Sequence, residues 1–304
     1  MKNSGWLFLG TAALALGATV YQLVEHGVPV RREYDVEVPE ALSGMRILML
    51  SDLHCNPLIC NNERVIARLK EETPDVILLA GDMISKYGKK ENLRVPAFLK
   101  KLTEIAPVVY GMGNHEEVLR TDFPEQFGAY RKAVEKMGIA FPDNETVSLV
   151  LQGKNVEFAG LTLKRKYYFK KKRQELPKKA TEALFIENPK NTILLAHFPD
   201  HFNTSAKLAP LVVSGHNHGG IIRLPVIGGI ISPQLYLPPY TRGCYTKGDS
   251  TMVVSAGIGS HSLPARLFNR IEYCIINTKT RKSLGVCPLR LRSLRGRWIY
   301  CCTS

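Results

Sequence analysis

The feature that most constrains the fold of this chain is a series of short apolar runs, each ending at a residue type that binds metal ions. The first run covers residues 45–50, and Asp52 and His54 follow it closely. Residues i and i+2 of an extended segment point the same way, so a strand here would place a carboxylate beside an imidazole. This pair would supply half of a metal site, and the other half must come from elsewhere in the chain.

Two more apolar runs end in the same way. Residues 74–80 lead to Asp82, and residues 106–112 lead to Asn114, with a glycine directly before each polar residue that lets the backbone turn sharply. Apolar residues at helical spacing predict helices between the runs, at residues 61–72 and 95–104. The order of strand, helix and strand predicts βαβ units, in which ligands collect at the carboxyl ends of the strands.

The last two runs lead to histidines. Residues 191–196 lead to His197, and residues 211–214 lead to His216 and His218. Of the eight histidines in the chain, five follow predicted strands: His54, His115, His197, His216 and His218. A random scatter of histidines would not produce this arrangement, so the strand ends predict one shared site.

In chain order, the motifs D-x-H, G-D, G-N-H-E, a histidine after a strand and G-H-x-H resemble the five-part signature of the calcineurin-like metallophosphoesterases, over residues 44–285. The resemblance implies an α/β fold, arranged as a four-layer α/β/β/α sandwich. It is greatest to a membrane-associated bacterial phosphodiesterase branch, in which Gly-Gly follows G-H-x-H and Arg-Gly and Gly-x-Gly segments come later. In this chain those segments are residues 219–220, 242–243 and 256–259, with residues 264–267 behind them.

Carried over by motif, the resemblance implies two metal sites that share one aspartate. One divalent ion would be held by Asp52, His54, Asp82 and His218, and the other by Asp82, Asn114, His197 and His216. Carboxylate, amide and imidazole ligands without thiolate favour Mn, Fe or Zn over Ca, which prefers oxygen ligands. Two such ions outweigh the charge of two aspartates, so the centre would bind and polarise phosphoryl oxygens.

His115 and Glu116 come directly after Asn114 and are not ligands in this assignment. With the ions supplying a polarised water to attack phosphorus, His115 would protonate the leaving oxygen. The alternative is that His115 only orients Asn114 from outside the metal shell. Glu116 is expected to pair with a basic neighbour or to lie on the surface. A non-catalytic scaffold with this fold would be expected to lose ligands, and all seven are retained.

Residues 6–24 carry no charge and favour a membrane location. As a helix at about 1.5 Å per residue they would reach roughly 28 Å, close to the hydrocarbon thickness of a bilayer. A cleaved signal peptide and a buried core helix are the alternatives. The side of the membrane stays open between cytoplasmic placement, which the scattered cysteines favour, and export. The predicted domains are a membrane helix (1–26), a tether with a leading strand (27–43), the catalytic domain (44–285) and a basic tail (286–304).

The net charge of +14 favours anionic partners. Basic residues are concentrated in residues 163–180, where Tyr167, Tyr168 and Phe169 lie among them. Such a stretch would lie on an anionic membrane surface or form a solvated loop. Nucleic acid is a less favoured partner, because no recognition motif accompanies the charge. The Gly- and Pro-rich loop at residues 217–244 carries apolar groups that would accept an acyl chain or pack on the sheet.

Together these features predict a dimetal hydrolase that cleaves a phosphodiester or pyrophosphate bond of a phosphorylated, membrane-associated or lipid-linked substrate. The branch that the chain resembles includes enzymes of the UDP-2,3-diacylglucosamine pyrophosphohydrolase type. A broad-specificity phosphomonoesterase and a nuclease are the alternative enzymes, and the non-catalytic scaffold is the alternative of another class.

Overall fold

The computed structural model describes residues 17, 19–22, 25–85, 94–168, 176, 181, 184, 186–233, 237–259 and 266–281. In chain order, the strands of these residues are β1 (Val30–Val38), β2 (Arg46–Leu50), β3 (Val76–Ala80), β4 (Val108–Gly111), β5 (Thr146–Leu151), β6 (Lys154–Gly160), β7 (Thr192–Leu195), β8 (Leu211–Ser214), β9 (Arg223–Leu224), β10 (Gly228–Gly229), β11 (Gly243–Lys247), β12 (Ser250–Val254) and β13 (Glu272–Thr280). The helices are α1 (Pro57–Cys60), α2 (Glu63–Glu71), α3 (Arg94–Thr103), α4 (Asn114–Asp122), α5 (Pro124–Lys136), α6 (Arg165–Tyr168) and α7 (Phe202–Ser205). Short 3-10 turns lie at Glu40–Leu42, Pro189–Asn191 and Pro199–His201.

The first sheet has the strand order β1-β13-β2-β3-β4. Strands β2, β3 and β4 run parallel, with α2 and α3 in the two connections between them. The last strand of the described chain, β13, lies between β1 and β2, parallel to β1 and antiparallel to β2. The carboxyl ends of β2, β3 and β4 therefore share one edge of the sheet.

The second sheet has the strand order β11-β12-β8-β7-β6-β5. Its four central strands are parallel neighbours, and β5 and β11 pair antiparallel at its two edges. Strands β9 and β10 form a separate antiparallel pair. The loops after β7 and β8 therefore leave this sheet at a common edge.

Apolar side chains fill the space between the sheets and cover both outer faces. Leu48 and Leu50 of β2 pack with residues of α2, α3 and α5, whereas Ile47 and Met49 face the second sheet. The outer face of the second sheet is covered by residues that include Phe202 of α7. A strand buried on both faces reads as a continuous apolar run, which explains residues 45–50.

The structure confirms the α/β class and the strands predicted before each polar motif, which are β2, β3, β4, β7 and β8. The predicted helices at 61–72 and 95–104 correspond to α2 and α3. The expectation of surface aromatics in the basic stretch is wrong for Tyr168, which is fully buried. Its ring packs 5.8 Å from that of Phe198, because the second sheet needs an apolar cover there. Phe169 and most of the remaining basic stretch lie outside the described residues.

The predicted membrane helix falls largely outside the described residues. Residues 17, 19–22 and 25–27 are helical. Within the part of the chain that the structure describes, no helix combines the length and the apolar character needed to cross a bilayer. The predicted basic tail at 286–304 lies outside the described residues.

Candidate metal centre

The seven predicted ligands lie on the loops that follow β2, β3, β4, β7 and β8: Asp52, His54, Asp82, Asn114, His197, His216 and His218. All of them are buried. Asp52, Asp82 and His216 have φ angles of 53°, 57° and 69°, in the left-handed region that residues with a side chain rarely adopt. Such conformations persist where the surroundings over-determine them, and they cluster at functional sites.

Two glycines fit these loops together for different reasons. Gly81 has a φ of 88°, which confirms the sharp turn predicted before Asp82. Gly113 has an ordinary φ of −102°, so the same prediction is wrong there. A Cβ atom at Gly113 would lie 2.2 Å from Asp82 Oδ1, so the close approach of the two loops excludes any side chain at this position.

The first group of donors comprises Asp52, His54 and His218, whose ligand atoms lie within 4.8 Å of one another. His54 Nε2 is 3.2 Å from His218 Nε2, and His218 Nε2 is 3.6 Å from Asp52 Oδ1. Two imidazole nitrogens and a carboxylate oxygen thus surround one point. Such a mixed nitrogen and oxygen set suits a divalent transition metal.

The second group comprises Asp82, His197 and His216, also within 4.8 Å of one another. Asn114 adjoins this group, because its Oδ1 is 2.7 Å from His216 Nδ1. His197 Nδ1 is 2.6 Å from the carbonyl oxygen of Ala80, a contact that fixes the proton on Nδ1. His197 Nε2 faces Asp82 Oδ2 at 3.2 Å, and it becomes an acceptor once the imidazole has lost its second proton. A cation at this point would satisfy it.

Asp82 lies between the two groups. Its Oδ2 is 3.2 Å from His197 Nε2 and 3.9 Å from the Nε2 atoms of both His54 and His115. Its Oδ1 accepts a 2.8 Å hydrogen bond from the backbone N–H of His115, which fixes the carboxylate plane. One carboxylate thus reaches donors of both groups, and the residues fit a centre of two cations.

The buried carboxylates favour bound cations. Burial raises the pKa of Asp52 to about 6. Burial also disfavours the charged form of Asp82, but the charges of His197 and His115 outweigh it and hold the pKa of Asp82 well below its usual range. Two buried carboxylates that both lie within 3.9 Å of His197 Nε2 are costly unless positive charge compensates them, and divalent ions supply that charge.

Metal binding is expected to release protons from His197. Burial lowers the pKa of His197, but the neighbouring Asp82 carboxylate outweighs it and raises the pKa to about 10 without metal. At neutral pH the imidazole is therefore charged, and a metal ion must displace about one proton to bind it. Metal affinity should then rise by about tenfold per pH unit below pH 10, measured by isothermal titration calorimetry in buffers of different ionisation enthalpy.

His201→Gln serves as the matched control for this measurement. Burial lowers the pKa of His201 to about 4, so this histidine is already neutral at pH 7 and its replacement should leave proton release unchanged. Metal affinity that is independent of pH between 6 and 9 would contradict the charged state of His197. For the metal-free protein, the His197 contribution to stability is full below about pH 6.5 and is lost as the pH rises through 10.

His115 lies at the margin of the first group. Its ring centroid is 4.5 Å from that of His54, and its ligand atom lies within 4.8 Å of those of His54 and Asp82. The structure thus brings all eight predicted site residues together. His115 is the one imidazole beside the centre that the motif assignment leaves outside both ligand sets.

Glu116 contradicts the expectation of a surface residue or a partner for a basic neighbour. It is fully buried, and its carboxylate accepts hydrogen bonds from the backbone N–H groups of Asp82, Met83 and Gly113, each at 2.9 Å. The Tyr110 hydroxyl donates a further bond at 2.6 Å. One carboxylate therefore joins the loops after β3 and β4 and fixes the backbone of Asp82. The acidic fourth position of G-N-H-E was the available signal.

Glu116→Gln is expected to lower metal affinity by about 10–100-fold, the usual cost of losing a residue that orients a ligand. The new amide would turn a donor toward backbone N–H groups that need an acceptor, so the Asp82 loop would shift. Glu117→Gln is the matched control, because Glu117 is the adjacent residue and is also buried, but its carboxylate pairs with Arg120. Metal titration and thermal melting of both variants check the prediction, and equal metal affinity in both would contradict it.

Arg266 and Asn269 support His218, and sequence patterns alone did not assign them to the site. Arg266 is buried, and its Nη2 donates to the carbonyl oxygens of Ala256 and Gly259 and lies 3.3 Å from His218 Nδ1. Asn269 Nδ2 donates a 2.7 Å hydrogen bond to the carbonyl oxygen of His218. The His218 loop is thus held through both its ring and its backbone.

Comparison with known proteins gives a consistent family match. Residues 45–220 match the sequence profile described as calcineurin-like phosphoesterase. The metallophosphoesterase YkuE of Bacillus subtilis, named as uncharacterized, is 29% identical over 257 residues, covering 80% of this chain and 82% of the relative. The phosphodiesterase YaeI of Escherichia coli is 28% identical over 219 residues, covering 71% of this chain and 75% of the relative.

A relative from an animal is also similar over most of the chain. The transmembrane protein with metallophosphoesterase domain of Danio rerio is 26% identical over 281 residues, which is 86% of this chain. The match spans 59% of that relative's length, so the relative has substantial sequence outside the match.

Proposed function

Because this chain belongs to the calcineurin-like phosphoesterase family and is a metal-dependent phosphoesterase, we propose that it hydrolyses a phosphodiester or pyrophosphate bond of a lipid-linked substrate at a membrane surface. The proposed ligands are the seven residues assigned by motif, with Asp82 shared between two ions. Mn, Fe and Zn suit this set of oxygen and nitrogen donors.

The observation that carries the proposal is the convergence of two donor groups on Asp82. Its Oδ2 lies 3.2–3.9 Å from imidazole nitrogens of both groups, and all of these side chains are buried. Buried carboxylates and imidazoles that converge in this way suit bound cations, which compensate the buried negative charge.

The residues of the chain divide the chemistry among them. Two bound divalent cations would supply a water of lowered pKa and positive charge for the phosphoryl oxygens. The Ala80 carbonyl keeps the His197 acceptor directed at the centre, and Glu116 holds the Asp82 backbone in place. His115 would donate a proton to the leaving oxygen, since its imidazole lies beside the centre and is not assigned as a ligand.

Two features support a lipid-linked substrate. Residues 6–24 are uncharged and long enough for a bilayer-embedded segment. The loop at 224–227, which follows the ligand His218, exposes apolar side chains. UDP-2,3-diacylglucosamine fits this chemistry, because its pyrophosphate joins a nucleotide to an acylated sugar.

A substrate panel tests the proposal. The full-length protein, loaded with Mn, should cleave UDP-2,3-diacylglucosamine in mixed micelles and bis-p-nitrophenyl phosphate in solution. Cleavage of p-nitrophenyl phosphate alone would replace the proposal by a phosphomonoesterase, and cleavage of single-stranded DNA alone would replace it by a nuclease. Purified protein that binds less than about one ion per chain would favour a scaffold.

A further inference from the structure

The hairpin of β9 and β10 exposes apolar side chains at its tip. Val226 is 98% exposed and Ile227 is 50% exposed. Residues 221–233 contain no acidic residue, and their one charged residue, Arg223, donates to the carbonyl oxygen of Gly219. Exposed apolar groups clustered in this way mark an interaction site on a water-soluble surface.

The hairpin tip is continuous with a second exposed apolar segment. Ile222 forms a β-bridge with Leu267, and Phe268, the next residue, is 63% exposed. The backbone N–H of Leu237 donates to the carbonyl oxygen of Ile230, which brings a further exposed leucine to the hairpin. We refer to these side chains together as the apolar rim: Leu224, Val226, Ile227, Leu237, Leu267 and Phe268.

A described residue of the uncharged N-terminal run, Tyr21, contacts the apolar rim. The ring of Tyr21 lies edge-on to that of Phe268 at 6.3 Å, and its hydroxyl accepts a 2.6 Å hydrogen bond from the Phe268 N–H. The Glu25 carboxylate accepts a 2.8 Å bond from the N–H of Asn269. Tyr21, which belongs to this run, and Glu25, which follows it, therefore contact the domain at Phe268 and Asn269.

The apolar rim also adjoins the metal centre. Four residues, 219–222, separate the ligand His218 from the first residue of β9. Asn269 Nδ2 donates to the carbonyl oxygens of both His218 and Ile221, at 2.7 and 3.2 Å. A surface that covers the rim therefore comes close to the ligand loop.

We propose that the apolar rim inserts into the surface of an anionic bilayer, so that a lipid-linked phosphoester reaches the metal centre without leaving the membrane. This inference rests on the proposed function and names the surface by which the centre meets its substrate. The contact of Phe268 with Tyr21, a residue of the uncharged run, points to a bilayer as the occupant. The net charge of +14 points the same way, since it attracts anionic lipid and opposes pairing with a second copy of the chain.

Tryptophan fluorescence tests the depth of the rim. Full-length Val226→Trp is reconstituted into phosphatidylcholine and phosphatidylglycerol vesicles with and without brominated acyl chains. The matched control is Val150→Trp, at a 74% exposed position on β5, an edge strand of the second sheet. The emission added at residue 226 should be about twofold lower in brominated vesicles, while that added at residue 150 should be unchanged. The experiment measures the depth of the hairpin tip in the bilayer and not membrane binding of the whole chain. A membrane-embedded segment at residues 6–24 would cause the chain to bind vesicles even if the rim did not insert.

A catalytic comparison separates this inference from the proposed substrate. The double variant Val226→Glu and Ile227→Glu should lower kcat/KM for UDP-2,3-diacylglucosamine in vesicles by about tenfold and leave bis-p-nitrophenyl phosphate turnover unchanged. Val150→Glu should change neither rate.

Each failure has a distinct result. The inference is overturned if brominated lipid does not quench the emission at residue 226. This result is expected if the hairpin tip stays in water, or if it packs against a second copy of the chain, which sedimentation would detect. Quenching at residue 226 without cleavage of any lipid-linked substrate supports the bilayer surface and overturns the proposed substrate.

Discussion

Replacement of Asp82 by Asn is expected to remove bound metal and to reduce turnover by on the order of 10³-fold, since several kcal/mol of charge stabilisation is lost. Asn has nearly the size of Asp, and its Oδ1 can still accept the hydrogen bond from the His115 N–H. The variant therefore removes the negative charge shared by the two donor groups with little change in shape. Metal content is measured by plasma mass spectrometry, and turnover is measured with bis-p-nitrophenyl phosphate.

Asp249→Asn is the control for this variant. Asp249 lies between β11 and β12, and its side chain is 93% exposed and paired with Arg281. In sequence it is about thirty residues from the nearest ligand, His218. It should keep wild-type metal content and turnover. Asp82→Asn with two ions per chain and near-normal turnover would show that the two sites do not depend on a shared aspartate.

Replacement of His115 by Gln is expected to reduce kcat by about 10²–10³-fold while metal content stays at the wild-type level. The expected loss depends on the leaving group. A good leaving group such as p-nitrophenolate departs without a proton, so its hydrolysis should fall much less than that of an alkyl phosphodiester. Rates for both substrate types, with metal content determined in the same preparations, check the prediction.

The geometry at His115 makes this comparison decisive. Its ligand atom lies within 4.8 Å of those of His54 and Asp82, which is close enough for His115 to bind a metal ion itself. That role predicts a different result from the role of a proton donor. Loss of metal together with an equal rate loss for both leaving groups would identify a ligand and exclude the acid. His201→Gln, a buried histidine outside both donor groups, should change neither rate.

Sequence patterns were sufficient for the strands and for the residues they carry. A strand buried on both faces must be apolar along its length, so the end of each apolar run marks where a loop begins. Asp52, Asp82 and His197 each lie two residues after the end of a strand, which is why their convergence was predictable from parallel strand order. The observed ends of α2 and α3 differ from the predicted ends by no more than about two residues, which is within the usual uncertainty of helix ends.

The supporting residues were harder to predict, because their roles depend on contacts distant in sequence. Glu116 accepts hydrogen bonds from backbone groups more than thirty residues away, at Asp82 and Met83. Apart from its position in G-N-H-E, its local sequence does not distinguish it from an exposed helical glutamate. Arg266 lies 48 residues from His218. Gly113 has an ordinary φ, and only the approach of Asp82 makes it necessary.

The placement of β13 between β1 and β2 has a consequence for how the molecule is assembled and divided. The strand that completes the first sheet, Glu272–Thr280, is made after every metal ligand, and β1 has no other strand partner in the described sheets. The ribosome must therefore release nearly the whole domain before β2, the strand that precedes Asp52, can pair with β13. A fragment that ends at residue 220, where the family match ends, would contain all seven ligands. Without β13, however, the edge of β2 would be unpaired and could form hydrogen bonds with a strand of another chain.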